Sequence, residues 1–311
     1  MQLLAVEFHR ASHQVTVVTE TPGEADFPFP VIRRPGFAQY LRLCRDHDVI
    51  LSAPLSLRRI VPQALSGRRI FVAHPDILLG NGAKEQFAAA IKKVVSRFVT
   101  NIVPSDYMAT QFHRPVVIMN PYDTESFRYP EAGTRRENIL FLGRLTPRKG
   151  GELLVEAYGR IASDYPHIDL TIVGDGFRRP NVEALVEKLG LGERVRFAGI
   201  LKGQELIDAL HRHEIMVIPS ITEEPFGIVA LEGLASGCRM VVARSGGLPE
   251  AVGPHALQFR RGDVDDLTRV LRIALEEQER PARADVEQYL TRFRPEAISR
   301  QYLDLLEQSA R

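Results

Sequence analysis

From Asn138 to Val242 short apolar runs alternate with amphipathic ones, and this rhythm restricts the fold more than any other feature of the chain. The spacing predicts strands at Asn138–Leu142, Asp169–Val173, Arg194–Phe197, Ile215–Pro219 and Arg239–Val242. Between them it predicts helices at Gly151–Ala162, Asn181–Leu189, Gln204–His211 and Ile228–Ala235. Leu153, Leu154, Ala157, Tyr158 and Ile161 form one apolar stripe on the first of these, and Gly190 stands where a C-cap glycine would. Repeated strand–helix units imply an α/β fold, a doubly wound parallel sheet with right-handed crossovers. Two further helices, Asp263–Glu277 and Val286–Gln308, are expected to cover its faces.

Ahead of this half the pattern is less regular. Met1–Arg10 reads as an amphipathic helix and Gln14–Thr19 as a short buried strand, followed by a Pro- and Gly-rich loop over residues 20–37. Strands are expected at Asp48–Leu51 and Arg69–Ala73, the second ending at His74-Pro75-Asp76. Gly82–Thr100 reads as an amphipathic basic helix, with Phe87, Ile91, Val94, Val95 and Phe98 on one side and Lys84, Lys92, Lys93 and Arg97 elsewhere. The polar run Tyr129–Glu137 is the expected linker between domains at 1–128 and 138–290, with a last helix at 291–311.

The 311 residues suffice for two domains with substantial cores. A net charge of +1 provides no global field to attract nucleic acid. Cys44 and Cys238 are too few for a disulfide framework, which fits a reducing cytoplasm. No apolar run reaches the roughly 18 residues that span a bilayer.

Within the alternating half lies Thr222-Glu223-Glu224-Pro225-Phe226-Gly227-Ile228-Val229-Ala230-Leu231-Glu232-Gly233. Pro225 suits a position just inside a helix start, where N–H groups lack partners, and those donors favour anions and hydroxyls. Glu224 then precedes the helix, and Glu232 falls about two turns further on. For a lone pair of Glu residues a solvated helix face would be the ordinary reading. However, Glu232 lies between Leu231 and Leu234, where packing gives no reason for a carboxylate.

The spacing of Glu224 and Glu232 resembles the E-x7-E signature of the retaining glycosyltransferases of family 4, in the glycogen-synthase-like superfamily. Phe141-Leu142-Gly143-Arg144-Leu145-Thr146-Pro147-Arg148-Lys149-Gly150, Ile172-Val173-Gly174-Asp175-Gly176, Val195-Arg196-Phe197-Ala198-Gly199, Pro219-Ser220 and Ser245-Gly246-Gly247-Leu248-Pro249-Glu250 resemble its flanking motifs in the same order. The resemblance implies a GT-B fold, two Rossmann-like domains facing a cleft, with the last helix crossing back to the first domain. The strand and glycine turn that open the family's first domain have no counterpart before Met1–Arg10. Three explanations stay open: the sequence starts inside the natural one, Gln2–Phe8 is itself a strand, or another segment fills the gap.

The same resemblance implies a metal-independent transfer of a sugar from a nucleoside-diphosphate sugar, UDP- or GDP-linked, without a further cofactor. Arg144 and Lys149 would stabilise the departing diphosphate, with Arg148 assisting and Gly143 letting the backbone come close. Glu224 with the N–H groups of Phe226 and Gly227, next to Ile228, would hold the transferred sugar. Glu232 would accept from the ribose hydroxyls. Gly174 and Gly176 would border the nucleotide, and Ala198-Gly199-Ile200 would meet the base. His74, at the carboxyl end of its strand, would face donor or acceptor. The acceptor could be a glycan, a lipid or a small molecule, and the 84–100 helix could touch anionic lipid, as in some relatives. A nucleotide-sugar-binding regulatory protein is the rival; a dehydrogenase is disfavoured, because no G-x-G-x-x-G follows an early strand.

Overall fold

The computed structural model of the chain describes residues 1–23, 26–76, 83–130, 137–277 and 279–310. It divides into two compact units: Met1–Pro121 with Phe293–Arg311, and Tyr122–Arg292.

The first unit runs α1 (Gln2–Arg10), β1 (Val17–Thr19), β2 (Val31–Arg33), α2 (Phe37–Asp46), β3 (Val49–Ser52), α3 (Leu57–Leu65) and β4 (Arg69–Ala73). It continues with α4 (Ala83–Val95), β5 (Thr100–Val103), α5 (Asp106–Ala109) and β6 (Pro115–Val117). All its strands pair in parallel, but in two ladders, β1–β2 and β3–β4–β5–β6. Packing of Val18 against the cluster of Tyr40, Cys44 and Ile50 and a 2.9 Å link between His47 Nε2 and Thr16 Oγ1 connect the two. Gln2–Arg10 is helical and buries Leu4 and Phe8, which removes Gln2–Phe8 as a candidate first strand. Residues 20–37, expected as loop, contain β2, because pairing with β1 supplies the order that their composition does not.

The expected basic helix is formed, with a 3₁₀ turn at Ser96–Phe98 after α4. Its apolar side does not pack as a unit. Ile91 and Val95 are half-buried, whereas Phe87 is 70% exposed, Val94 56% and Phe98 83%. The linker reading at Tyr129–Glu137 falls largely on residues 131–136, outside the described residues.

The second unit contains β7 (Glu137–Leu142), α6 (Gly151–Gly159), β8 (Leu170–Val173), α7 (Arg179–Lys188), β9 (Val195–Gly199), α8 (Gln204–Arg212) and β10 (His213–Ile218). After them come α9 (Ile228–Ala235), β11 (Arg239–Ala243), α10 (Leu248–Val252), β12 (Ala256–Phe259), α11 (Val264–Glu276) and α12 (Arg283–Leu290). Six parallel strands lie in the order β12-β11-β10-β7-β8-β9. They bury Ile139, Phe141, Ile172, Val217 and Val241 against Leu154, Tyr158 and Leu271. The doubly wound sheet read from the alternation is present, with β12 and α10 added. One predicted helix is two: Val286–Gln308 breaks after α12, and Pro295 opens α13 (Pro295–Ala310), which belongs to the first unit and packs on α1. A proline has no N–H to continue a helix but suits the first turn of a new one.

Candidate active site

Chain order in the second sheet runs outward from β7 through β8 to β9, then returns to β10 and runs the other way. The reversal lies between β7 and β10, which pair Val217 with Phe141. At such a switch point the loops leaving two adjacent strands diverge, and the carboxyl edge opens for a ligand. The loops there are 143–150, 219–227 and, beside them, 174–178, 199–203 and 244–247.

Backbone-to-backbone approach knits these loops together. A Cβ on Gly174 would be driven into the carbonyl oxygen of Gly143, one on Gly176 into that of Leu145, and one on Gly150 into that of Pro219. Gly246 stands in the same relation to Glu224. Gly174 N–H donates to Gly199 O at 2.7 Å, and Ile221 N–H donates to Arg148 O at 2.8 Å. Side chains at the four glycines would push the loops apart, so their spacing in the sequence reflects contact across strands.

The loop after β7 and the loop after β10 meet through their side chains. Lys149 Nζ donates to both oxygens of Glu224, at 2.7 and 3.0 Å, and Ser220 Oγ donates to the same carboxylate. Arg148 Nε donates to Thr222 Oγ1 at 3.0 Å. Arg144 is exposed and forms no ion pair among the described residues. Two residues 75 apart in sequence thus place a cation and a carboxylate together at the switch point.

Phe226 is buried and Gly227 has φ 120°, so the chain turns sharply before α9. Pro225 therefore stands outside the helix rather than in its first turn, and Glu232 is its fifth residue, a little over one turn in. The helix lies tight on the sheet: a Cβ on Gly233 would press on the sulfurs of Met216 and Met240. Glu232 is half-buried. Burial first, and then the neighbouring charge of Asp123, push its carboxyl up to about 7. Ile228 and Ile200 are exposed, Gly199 is left-handed with φ 68°, and Ala198 precedes it in β9.

His74 follows β4 in the first unit and is 2% exposed. Its Nε2 lies 2.9 Å from Asn101 Oδ1, and its ring lies 4.0 Å from that of Phe112. Burial lowers its pKa, which keeps the ring neutral near pH 7. Its Nδ1 has no partner among the described residues.

Sequence reasoning missed Ser220 as a hydrogen-bond donor to Glu224 and gave Asp123 no role at the site. The run Asn120-Pro121-Tyr122-Asp123 was visible, but nothing in it shows that the charge of Asp123 acts on Glu232.

Residues 123–290, the span that carries these loops, match the family model described as glycosyl transferases group 1. The chain belongs to that family. Among curated relatives, the gpi3 subunit of phosphatidylinositol N-acetylglucosaminyltransferase of Schizosaccharomyces pombe is 31% identical over 160 residues, covering 51% of this chain and 35% of that protein. Glycogen synthase of Mycobacterium tuberculosis is 35% identical over 167 residues, 52% of this chain and 40% of that protein. The chain therefore spans well under half the length of these relatives. Among solved structures, Anabaena HepE in complex with UDP and glucose superposes with a TM-score of 0.80 at 19% identity, covering 99% of this chain and 95% of that one. That likeness establishes the fold: two Rossmann-like domains of the GT-B type.

Ionisation of Glu232 gives this group 1 glycosyltransferase domain a pH signature. A carboxyl raised from 4.5 to about 7 holds its proton in the folded state, so its contribution to stability is present below about pH 4.5 and fades as pH rises towards 7. Donor binding runs the other way if the ribose hydroxyls need the carboxylate. Between pH 8 and pH 6 the Kd for a nucleotide sugar should rise about tenfold, since only about a tenth of the group is then ionised. Calorimetry across that range checks this, and Glu232→Gln should flatten the profile. A sugar diphosphate diester does not titrate there, so the slope belongs to the protein.

Proposed function

We propose that the protein is a retaining glycosyltransferase that moves a sugar from a nucleoside-diphosphate sugar to a hydroxyl acceptor without a metal. The observation that carries the reading is the Lys149–Glu224 pair at the sheet's switch point, beside the helix that carries Glu232. Lys149 and Arg144 supply the positive charge a leaving diphosphate needs. Arg148 and the close backbone at Gly143, Gly174 and Gly176 fit the same anion. Glu224, with the N–H groups of Phe226 and Gly227 and the adjacent Ile228, positions the transferred sugar. Glu232 takes the ribose, and Ala198, Gly199 and Ile200 meet the base. His74 remains assigned to donor or acceptor by its place at a strand's carboxyl end. The leaving phosphate accepts the acceptor's proton on the face it departs from, so no side chain forms a covalent intermediate. A UDP-linked donor is favoured because HepE is described in complex with UDP and with UDP-glucose.

The exposed Phe87, Val94 and Phe98 beside Lys92, Lys93 and Arg97 support peripheral contact with an anionic membrane through residues 84–100. Among the described residues no helix is long and apolar enough to cross one.

A thermal-shift screen with UDP-, GDP-, ADP- and dTDP-sugars, paired with assays of donor hydrolysis and transfer, tests the reading. A donor at 100 times its Kd stabilises the fold by about 2.7 kcal/mol, a shift of several degrees. One base should stand out. No shift with any donor sinks the proposal, and binding without hydrolysis or transfer turns it into a regulatory binding protein.

A further inference from the structure

The first unit holds a cavity that the transfer reading does not use. About 550 Å³ opens between the end of α4 with its 3₁₀ turn, which contribute Lys93, Ser96 and Arg97, and the segment before β6, which contributes Gln111, Phe112 and His113. These residues precede β5 and β6, so the cavity lies at the amino ends of the strands. Rossmann sheets present their usual ligands at the opposite edge.

No Asp or Glu lines the cavity, and Lys93 and Arg97 form no ion pair among the described residues. Two permanent cations facing one space repel each other, and an anion between them would offset that cost. The walls are fixed from behind. Asn101 is fully buried, and its Nδ2 donates to Ser96 O at 2.7 Å and to His113 O at 3.2 Å, so one amide ties both walls together. Its Oδ1 faces His74 Nε2, and the His74 ring backs Phe112. Directly after His113, Arg114 takes the left-handed conformation with φ 47°, a strained choice for a residue with a Cβ. A buried polar network that fixes the cationic wall of Lys93 and Arg97 against the wall of Gln111, Phe112 and His113 is the kind of preorganisation a binding site needs.

We propose that this cavity binds the phosphate of a phosphate ester, with Arg97 taking two oxygens side by side and Lys93 adding a compact charge. The ester could be a soluble metabolite or a lipid head group. Val94 and Phe98, next in sequence to Lys93 and Arg97 and exposed, fit the lipid source. That source rests on the membrane reading above; the cavity itself does not.

The test compares wild type with the Lys93→Gln/Arg97→Gln double variant. Calorimetry with inorganic phosphate and glycerol 3-phosphate forms one arm. Sedimentation with phosphatidylglycerol vesicles, against phosphatidylcholine vesicles, forms the other. Wild type should bind in at least one arm, and the double variant should lose at least tenfold in affinity at an unchanged melting temperature. Should that variant melt lower, Arg97→Gln alone carries the comparison. Binding of the soluble probes assigns a free ester; binding of phosphatidylglycerol vesicles alone assigns a head group. Failure of wild type in both arms, or equal binding by the variant, overturns the site. If vesicle binding survives in the double variant but vanishes in Phe87→Ala/Phe98→Ala, the cavity falls while the membrane reading stands.

Discussion

Lys149→Ala should lower the rate of sugar transfer about a thousandfold, close to 4 kcal/mol of transition-state stabilisation. The Lys149 ammonium is held by both oxygens of Glu224, so on the proposed reading it is already positioned for a diphosphate. Charge that accumulates on the departing phosphate would then meet a fixed cation rather than water that must reorganise. On the same reading Arg144, exposed and without an ion pair among the described residues, would grip the diphosphate from the far end of the same loop and would not replace Lys149. Folding should survive the change. The pair is part-exposed, which limits its worth to stability to about 1 kcal/mol, and Glu224 keeps the Ser220 hydroxyl. Single-turnover kinetics with the donor chosen by the screen provide the measurement, with a thermal melt as control. Lys149→Arg should recover only part of the loss, since a planar fork does not sit where a point charge did. Turnover within a few fold of wild type in Lys149→Ala would remove the ion pair from the mechanism.

How this pair could be found in the sequence differs from how the fold could. The second unit was legible because its central strands are buried on both faces and read as apolar runs, Ile139–Phe141 and Ile215–Ile218 among them. The helices between them show the longer period. No such pattern joins Lys149 to Glu224. Their meeting follows from β7 and β10 being neighbours although two strands intervene in the chain, and only the family spacing signalled it. Elements whose order comes from partners were missed: β2 sits in a Pro-rich stretch, and β12 is four residues long. Burial raises the Glu232 carboxyl first, and Asp123 adds to it from outside the motif; no spacing rule connects the two acids. The exposed Phe87, Val94 and Phe98 show the converse limit. Helical periodicity groups apolar residues on a side, but it does not say whether protein covers that side.

Gly150 and Gly190 separate two reasons for a glycine, and the stability difference between their alanine variants should be large. Both are left-handed, with φ 70° and 68°. Nothing lies near a Cβ on Gly190, so Gly190→Ala should cost only the conformational penalty, about 1 kcal/mol. At Gly150 the same methyl meets the backbone carbonyl of Pro219, which cannot rotate away as a side chain could. Relief requires the loop after β10 to move as a body, against the Ile221 N–H to Arg148 O bond and the close contact of Gly246 with Glu224. Gly150→Ala should therefore cost about 3–5 kcal/mol, combining backbone strain with overpacking. In a unit of this size that lowers the melting temperature by roughly 6–20 °C. The displaced loop carries Glu224, so donor affinity should fall as well, whereas Gly190→Ala at the end of α7 should leave it within twofold. Thermal denaturation with and without donor reads both effects. If the two variants melt together, the carbonyl contact does not constrain the site, and the glycine spacing that marks these loops has another cause.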